Sequence, residues 1–185
     1  MSAAVFDAEG KVGAARALCE QGRWREVLAF AQKWQAENPT DYKALYYAGL
    51  GFSGTNQFAE AEAAYRLALT METSDFKVWN NLAGLLYEHM RREPEGIRCL
   101  EEALKIDPRN QLGWSNLASM VGRLGRHDRA LEYAERALAL DPKMVEAHLH
   151  KGKAARALGK KEIVREVCAA LAAIAPENFC RARLR

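Results

Sequence analysis

The sequence lacks the features that identify several classes of protein. It has only four cysteines in 185 residues, and none of them forms a CxxC pair. Such pairs are typical of zinc and thiol–disulfide sites, so we expect neither, and unpaired cysteines fit the reducing cytoplasm. No apolar run approaches the roughly 18 residues that indicate a membrane-spanning helix. No basic segment followed by an apolar one opens the chain, so we expect no secretory signal.

Motifs for catalysis are also missing. The sequence has no HExxH pair, no GxSxG elbow and no glycine-rich phosphate loop. The four histidines are scattered, and His148 and His150 are two residues apart, which places them on different sides of a helix. We therefore expect a protein that is not an enzyme and that needs no metal and no cofactor.

The composition is that of a helical protein with an uneven charge. Hydrophobic residues make up 49% of the chain and charged residues 28%. Residues 143–185 contain 10 basic and 4 acidic residues, a net charge of +6, whereas residues 1–142 have a net charge of −3. A solvated face with a basic tail accounts for this excess. The alternative is a basic docking surface for an acidic partner.

The strongest pattern lies in residues 111–144. Apolar residues three and four apart predict a helix with one buried stripe, Gly125 ends it with a left-handed C-cap, and small residues mark a second helix. Asp141 and Pro142 predict an N-cap and a first-turn proline for a third helix. The residues of the two stripes are Trp114, Leu117, Ala118, Val121, Ala130, Ala134 and Ala137.

The same spacing of about 34 residues recurs along the chain, and the pattern resembles the tetratricopeptide repeat (TPR). The resemblance implies an all-α fold, a right-handed α-solenoid of antiparallel helix pairs whose first helices line a concave groove. We expect one domain over residues 8–178 and a short basic tail over residues 179–185. The five predicted repeats are 8–41, 42–75, 76–110, 111–144 and 145–178.

Two repeats depart from the pattern. The third is one residue longer, and we place the extra residue in 90–94, where no glycine occurs. We expect an altered turn there, with the helix register restored by Gly96. In the fifth repeat His148 and Lys151 stand at offsets where other repeats have tryptophan and leucine. Because those offsets pack between neighbours, we expect the first helix of this repeat to be loosely held.

The resemblance also implies a function, which is non-catalytic binding of a peptide or protein segment in the groove. Asn81 and Asn116 both precede a Leu-Ala pair. An asparagine amide can bond both the N–H and the C=O of a bound backbone. The alternative is that this asparagine belongs to the repeat pattern and orients a helix. The predicted groove residues are Tyr46, Tyr47, Leu50, Lys77, Asn80, Asn81, Tyr87, Asn116, Ser119, Arg123 and Lys153.

The tyrosines of this set suggest an aromatic platform for an apolar segment, or packing between repeats. One TPR subtype holds the terminal carboxylate of heat-shock chaperones with lysine, asparagine and arginine at set offsets. In repeats three to five only Asn116 matches the residue that the clamp requires at its offset. The residues at the other offsets do not match, so this clamp is absent. The residues that do not fit are Asn80, Gly84, Glu146 and His150.

Three other functions are weighed against this one: two are alternatives, and the third is not favoured. The first is an oligomeric scaffold that self-assembles through its terminal repeats, including the C-terminal one. The second is a secretion-type chaperone that shields an extended client. Nucleic acid binding through the basic C-terminal end is not favoured, because Glu88 and Glu146 belong to the same predicted groove.

Overall fold

The computed structural model of the chain describes residues 3–174, and all regular structure in that range is helical. This confirms the predicted all-α class. Residues 175–178 of the fifth repeat and the predicted tail lie outside the described residues. The helices are α1 (Ala3–Glu20), α2 (Trp24–Glu37), α3 (Tyr42–Gly54), α4 (Phe58–Met71), α5 (Phe76–Gly84) with a π-helical turn (Leu85–His89), α6 (Glu93–Ile106), α7 (Gln111–Arg123), α8 (His127–Leu140), α9 (Val145–Ala157) and α10 (Lys161–Ile174).

The chain divides into two compact units, with the boundary between Cys99 and Leu100 inside α6. In the N-terminal unit α2 packs against α1 and α3, and α4 packs against α3 and α5. In the C-terminal unit α8 packs against α7 and α9, and α9 also packs against α7 and α10. Successive helices are therefore the main packing partners in each unit. The division into five repeats within one domain stays a prediction.

Short polar residues begin several helices. The carboxylates of Asp41 and Asp75 accept a hydrogen bond from the backbone N–H two residues later, at 3.0 and 2.8 Å. Asn110 caps α7 in the same way by accepting from the Gly113 N–H at 2.9 Å. These bonds satisfy N–H groups that have no partner within the helix.

The predicted start of α9 is wrong by three residues. Asp141 follows the last residue of α8, where its own N–H bonds the Ala137 carbonyl. Its carboxylate accepts from the Lys143 N–H at 3.0 Å, and this local turn precedes a helix that begins only at Val145. A single aspartate thus ends one helix and shapes the connection to the next.

Small residues let the helices of the N-terminal unit approach closely. Ala31, Ala44 and Ala48 are at most 3% exposed and belong to the same core cluster as the buried Trp34. A Cβ atom at Gly51 would lie 2.8 Å from the backbone nitrogen of Leu28. The backbones of α2 and α3 can be this close only because position 51 has no side chain.

The longer third repeat has its extra residue inside the helix rather than in the turn. In the other four repeats the turn residue with a positive φ is Gly22, Asn56, Gly125 or Gly159, each eleven positions after the offset that Trp114 fills. Arg91, at φ 52°, takes this place in the third repeat and is twelve positions after Trp79. The turn Leu85–His89 is π-helical, which is how a helix accommodates one inserted residue. The altered turn is confirmed at Arg91, within 90–94, but the predicted location of the extra residue in 90–94 is wrong, because that residue lies in the preceding helix.

Ion pairs hold the residue that follows this turn. The Arg92 guanidinium lies 2.7 Å from Glu62 of α4 and 2.7 Å from Glu95 of α6. Arg66 lies 2.7 Å from Glu62 and 3.4 Å from Glu95, so four charges alternate in sign. Hydrogen bonding to Glu95 raises the pKa of Arg92. Because all four side chains are partly exposed, each pair adds little to stability. The set links α4 to the first turn of α6.

The fifth repeat replaces the missing tryptophan with an equivalent contact. The indole N–H groups of Trp79 and Trp114 each donate to the carbonyl six residues earlier, at 2.8 and 2.9 Å. His148 places its Nε2 atom 2.9 Å from the Pro142 carbonyl, which is also six residues earlier. Lys151 lies 3.3 Å from Glu135 of α8. Both departures make contacts of their own, and the expectation that α9 is loosely held stays a prediction.

Candidate peptide-binding surfaces

A hydrogen-bonded pair joins two of the predicted groove residues in the N-terminal unit. The Nδ2 atom of Asn81 on α5 donates to the hydroxyl of Tyr46 on α3 at 3.2 Å and to the carbonyl of Lys77 at 2.8 Å. A carbonyl only accepts, so the nitrogen of the amide must face Lys77. Both N–H donors of Asn81 are used in this way, and its carboxamide oxygen is the acceptor that remains.

The ring of Tyr46 belongs to an aromatic cluster. It meets Tyr47 edge-on with ring centroids 5.1 Å apart and lies tilted against Tyr65 at 6.3 Å. Tyr47 stacks on Trp34 at 6.0 Å. Burial raises the pKa of Tyr46 and of Tyr65, so both phenols keep their protons at neutral pH.

The predicted tyrosines differ in exposure. Tyr47 is 7% exposed and Tyr87 is 4% exposed, whereas Tyr46 is half-buried. Of the three rings, Tyr46 has the most surface with which to contact a ligand. Leu50 and Asn80 are half-buried, and Lys77 is exposed.

In the C-terminal unit a cavity of about 290 Å³ brings three predicted residues together. Ser119 and Arg123 reach it from α7, and Lys153 reaches it from α9. The fourth predicted residue, half-buried Asn116, is not among the lining residues. The complete lining consists of Ala118, Ser119, Gly122, Arg123, His127, Ala130, His150, Lys153 and Ala154.

His127 is a lining residue outside the predicted groove set, because that set contains only residues of the first helix of each repeat. His127 is the first residue of α8, two positions after Gly125, and its side chain lines the cavity. His150 lies beside Lys153 in the lining. Burial lowers the pKa of His150, the charge of Lys153 lowers it further, and Glu146 acts in the opposite direction.

Within residues 3–174, no group of three or more histidine, cysteine, aspartate or glutamate side chains is arranged to hold a metal ion. None of the helices in that range is both long enough and apolar enough to cross a membrane.

Comparison with protein families identifies the repeat. The tetratricopeptide repeat model matches residues 90–144 and 117–179. Among curated proteins, Hsp70-Hsp90 organizing protein 3 of Arabidopsis thaliana is 28% identical over 95 residues, which are 51% of this chain and 17% of that protein. The chain thus spans about a sixth of the length of this relative.

Solved structures share the fold. A structure titled as the functional characterization of Pseudomonas aeruginosa pilF is 20% identical, with a TM-score of 0.82 over 92% of this chain and 77% of that one. YrrB, described as a TPR protein with an unusual peptide-binding site, is 18% identical, with a TM-score of 0.73 over 92% and 87%. At these identities the likeness shows the fold alone, an α-solenoid of antiparallel helix pairs.

Proposed function

This chain belongs to the tetratricopeptide repeat family, and from that premise we propose that it binds an extended peptide or protein segment without catalysing a reaction. The observation that carries the proposal is the pair formed by Tyr46 and Asn81. Proteins of this fold include YrrB, which is described as having a peptide-binding site. Binding of protein partners is the function that such repeats serve most generally.

The pair offers complementary groups to a peptide backbone. The carboxamide oxygen of Asn81 accepts a hydrogen bond from a peptide N–H. The Tyr46 hydroxyl already accepts from Asn81, and its own proton remains to be donated to a peptide C=O. The raised pKa of Tyr46 keeps that proton in place at neutral pH. An acceptor and a donor side by side match one residue of an extended segment, independently of its side chain.

The aromatic cluster holds the pair in position before a segment arrives. Tyr46 lies between Tyr47 and Tyr65, and Tyr47 is in turn stacked on Trp34. A side chain that is already immobilised loses little conformational entropy on binding, which strengthens association. Leu50 and the exposed face of Tyr46 supply apolar surface for the side chains of the segment.

The remaining groove residues are part of the same proposal. In the N-terminal unit, Lys77, Asn80 and Tyr87 belong to helix α5 and the π-helical turn that follows it. In the C-terminal unit, Asn116, Ser119, Arg123 and Lys153 belong to α7 and α9. Each set is proposed to contact a bound segment within its own unit.

Selection of ligands from a random peptide library displayed on phage tests the proposal. We expect enriched peptides to bind the wild-type chain and to lose about fivefold in affinity with Asn81→Ala, because one neutral hydrogen bond is worth about 1 kcal/mol. Gln32→Ala, which removes an exposed amide from α2, is the matched control and should bind as the wild type does. If the Asn81 variant bound the peptides as tightly as the wild type, the Tyr46–Asn81 pair would not be part of the binding site.

Other expectations stay predictions. They are the absence of catalysis and of a cofactor, a cytoplasmic location, and the two alternatives of self-assembly through the terminal repeats and of chaperone activity. Light scattering on the purified chain separates self-assembly from the main proposal. A monomer at every concentration tested would exclude an obligate scaffold.

A further inference from the structure

The cavity of the C-terminal unit has an apolar floor made of small residues. Ala118 and Gly122 of α7 face Ala130 of α8, and Ala154 of α9 completes the floor. A Cβ atom at Gly122 would lie 3.3 Å from the Cβ atom of Ala130, so these two helices are already close. Because the floor residues are small, the helices leave a cavity of about 290 Å³ that larger side chains would have filled.

The edge of the cavity is basic. Arg123 comes from the end of α7, His127 from the start of α8, and His150 and Lys153 from α9. The lining contains no aspartate and no glutamate. The exposed Lys153 and two imidazoles thus line one small cavity, and none of the lining residues is a carboxylate. A site of this kind attracts a single anionic group.

We propose that this cavity binds the carboxylate side chain of a glutamate or aspartate in a partner segment. The proposal rests on the function proposed above and specifies the chemistry of the segment. The methylene groups of the acidic side chain pack on the alanine and glycine floor, while its carboxylate meets the ammonium group of Lys153. Histidine N–H groups and the Ser119 hydroxyl are additional donors at the same edge.

The volume of the cavity fits one side chain better than it fits a cofactor. Pockets for small-molecule ligands occupy about 300–1,000 Å³, and this cavity is at the lower limit of that range. The cavity is also open on the side of exposed Arg123 and Lys153, so a chain that lies across its edge can insert one residue.

Binding of a carboxylate should involve a proton at His150. The charged and titratable groups that bear on His150 are Glu146 and Lys153 on its own helix, Arg123 on α7 and His127 on α8. No residue of α10 within the described range lines the cavity. In the free protein burial and Lys153 disfavour the imidazolium form of His150. A bound carboxylate favours that form, so affinity should rise as the pH falls below neutrality.

Titration of the full chain with two capped peptides, hexaglutamate and hexaglutamine, tests the proposal. Both peptides present the same backbone, and only hexaglutamate has carboxylates. We expect hexaglutamate to bind more tightly, to bind more tightly at about pH 6 than at about pH 8, and to shift the imidazole NMR signals of His150 and His127. Lys153→Gln keeps the aliphatic stem and removes the charge, and it should weaken hexaglutamate binding about fivefold.

Lys161→Gln is the matched control, because Lys161 is an exposed lysine of α10 that does not line the cavity. It should leave hexaglutamate affinity within about twofold of the wild type. If both lysine variants lost the same amount of hexaglutamate affinity, general charge attraction would explain the binding, and the proposal would be overturned. Equal binding of the two peptides, or binding of neither, would overturn it as well. The function proposed for Tyr46 and Asn81 is judged separately, by the displayed peptides and the Asn81 variant.

Discussion

The amide nitrogen of Asn81 lies 3.2 Å from the hydroxyl oxygen of Tyr46, a residue 35 positions earlier in the chain. This bond connects α5 to α3 and holds the two side chains together as one polar site. The amide nitrogen also donates to the carbonyl one helical turn earlier, at Lys77. The orientation of the amide is therefore fixed by its two acceptors, and its oxygen is left for a ligand.

Tyr46→Phe tests the contribution of the hydroxyl. The variant keeps the ring in the aromatic cluster but loses the acceptor of Asn81 and the proposed donor to the segment. We expect the affinity for a selected peptide to fall about tenfold, and the free energy of unfolding to fall by about 1 kcal/mol. Titration calorimetry and urea unfolding measure the two effects.

The control for this variant is Tyr42→Phe. The Tyr42 hydroxyl donates to the carboxylate of Asp75 at 3.1 Å, so the substitution also removes one partly buried hydrogen bond. Tyr42 is not among the predicted groove residues. Its variant should lose a similar amount of stability and keep the peptide affinity. A similar loss of affinity in both variants would assign the effect to stability rather than to binding.

Deletion of one residue from the π-helical turn should be tolerated. Without Glu88 the third repeat has the length of its neighbours, and the turn Leu85–His89 can become α-helical. We expect a free energy of unfolding within about 1 kcal/mol of the wild type. Deletion of Ser119, in the middle of the regular helix α7, shifts the buried stripe and should cost several times more.

Thermal unfolding followed by circular dichroism compares the two deletions. If the Glu88 deletion lowers the unfolding temperature as much as the Ser119 deletion does, the π-helical turn is not the place of the extra residue.

Replacement of Arg91 by glycine should stabilise the fold. Arg91 has φ 52°, in the left-handed region where a Cβ atom costs about 1–2 kcal/mol. Glycine removes that strain but adds conformational entropy to the unfolded chain, so the net gain should be about 0.5–1 kcal/mol. Asn56→Gly, at φ 63°, should gain less because asparagine tolerates this region better. Urea unfolding of both variants decides, and a larger gain at position 56 would contradict the assignment of strain to Arg91.

Buried tyrosines predict a loss of stability in alkaline solution. Burial raises the pKa of Tyr42 to about 12 and also raises the pKa of Tyr46 and Tyr65. In the unfolded chain these phenols ionise near their ordinary value of about 10. The stability they contribute is therefore complete below about pH 10 and is lost as the pH rises through the folded pKa values.

Denaturant unfolding at a series of pH values, with phenolate absorbance as a second probe, measures this loss. Tyr65→Phe removes the most buried of the three phenols and should reduce the dependence of stability on pH above about pH 10. An unchanged dependence in the variant would show that other groups cause the alkaline loss.

Much of this fold could be predicted because the residues of each repeat specify the helices and turns of that repeat. Gly125 ends its helix at the expected place. Asn56 at a helix end, and Asp41 and Asp75 at helix starts, are likewise residue types that satisfy local backbone requirements. The location of the extra residue could not be predicted. A π-helical turn has no residue type of its own, and nothing in the sequence distinguishes an insertion in a helix from one in the turn that follows it.

The fifth repeat illustrates a second limit. His148 appears in the sequence as the loss of a tryptophan, but its imidazole reaches the same carbonyl position that the indole of Trp114 reaches. The equivalence depends on a hydrogen-bond geometry that residue size does not reveal. The Tyr46–Asn81 bond was hidden for a similar reason, because the two residues were predicted as separate contacts to a ligand rather than as contacts to each other.

The side-chain amide signals of Asn81 give the most direct test of the central proposal. In an NMR titration with a peptide selected on the wild-type chain, we predict that these signals shift in step with binding, because the amide oxygen accepts from the peptide. The amide of Gln32 should not shift. Saturable binding that leaves the Asn81 amide unchanged would contradict the proposed site.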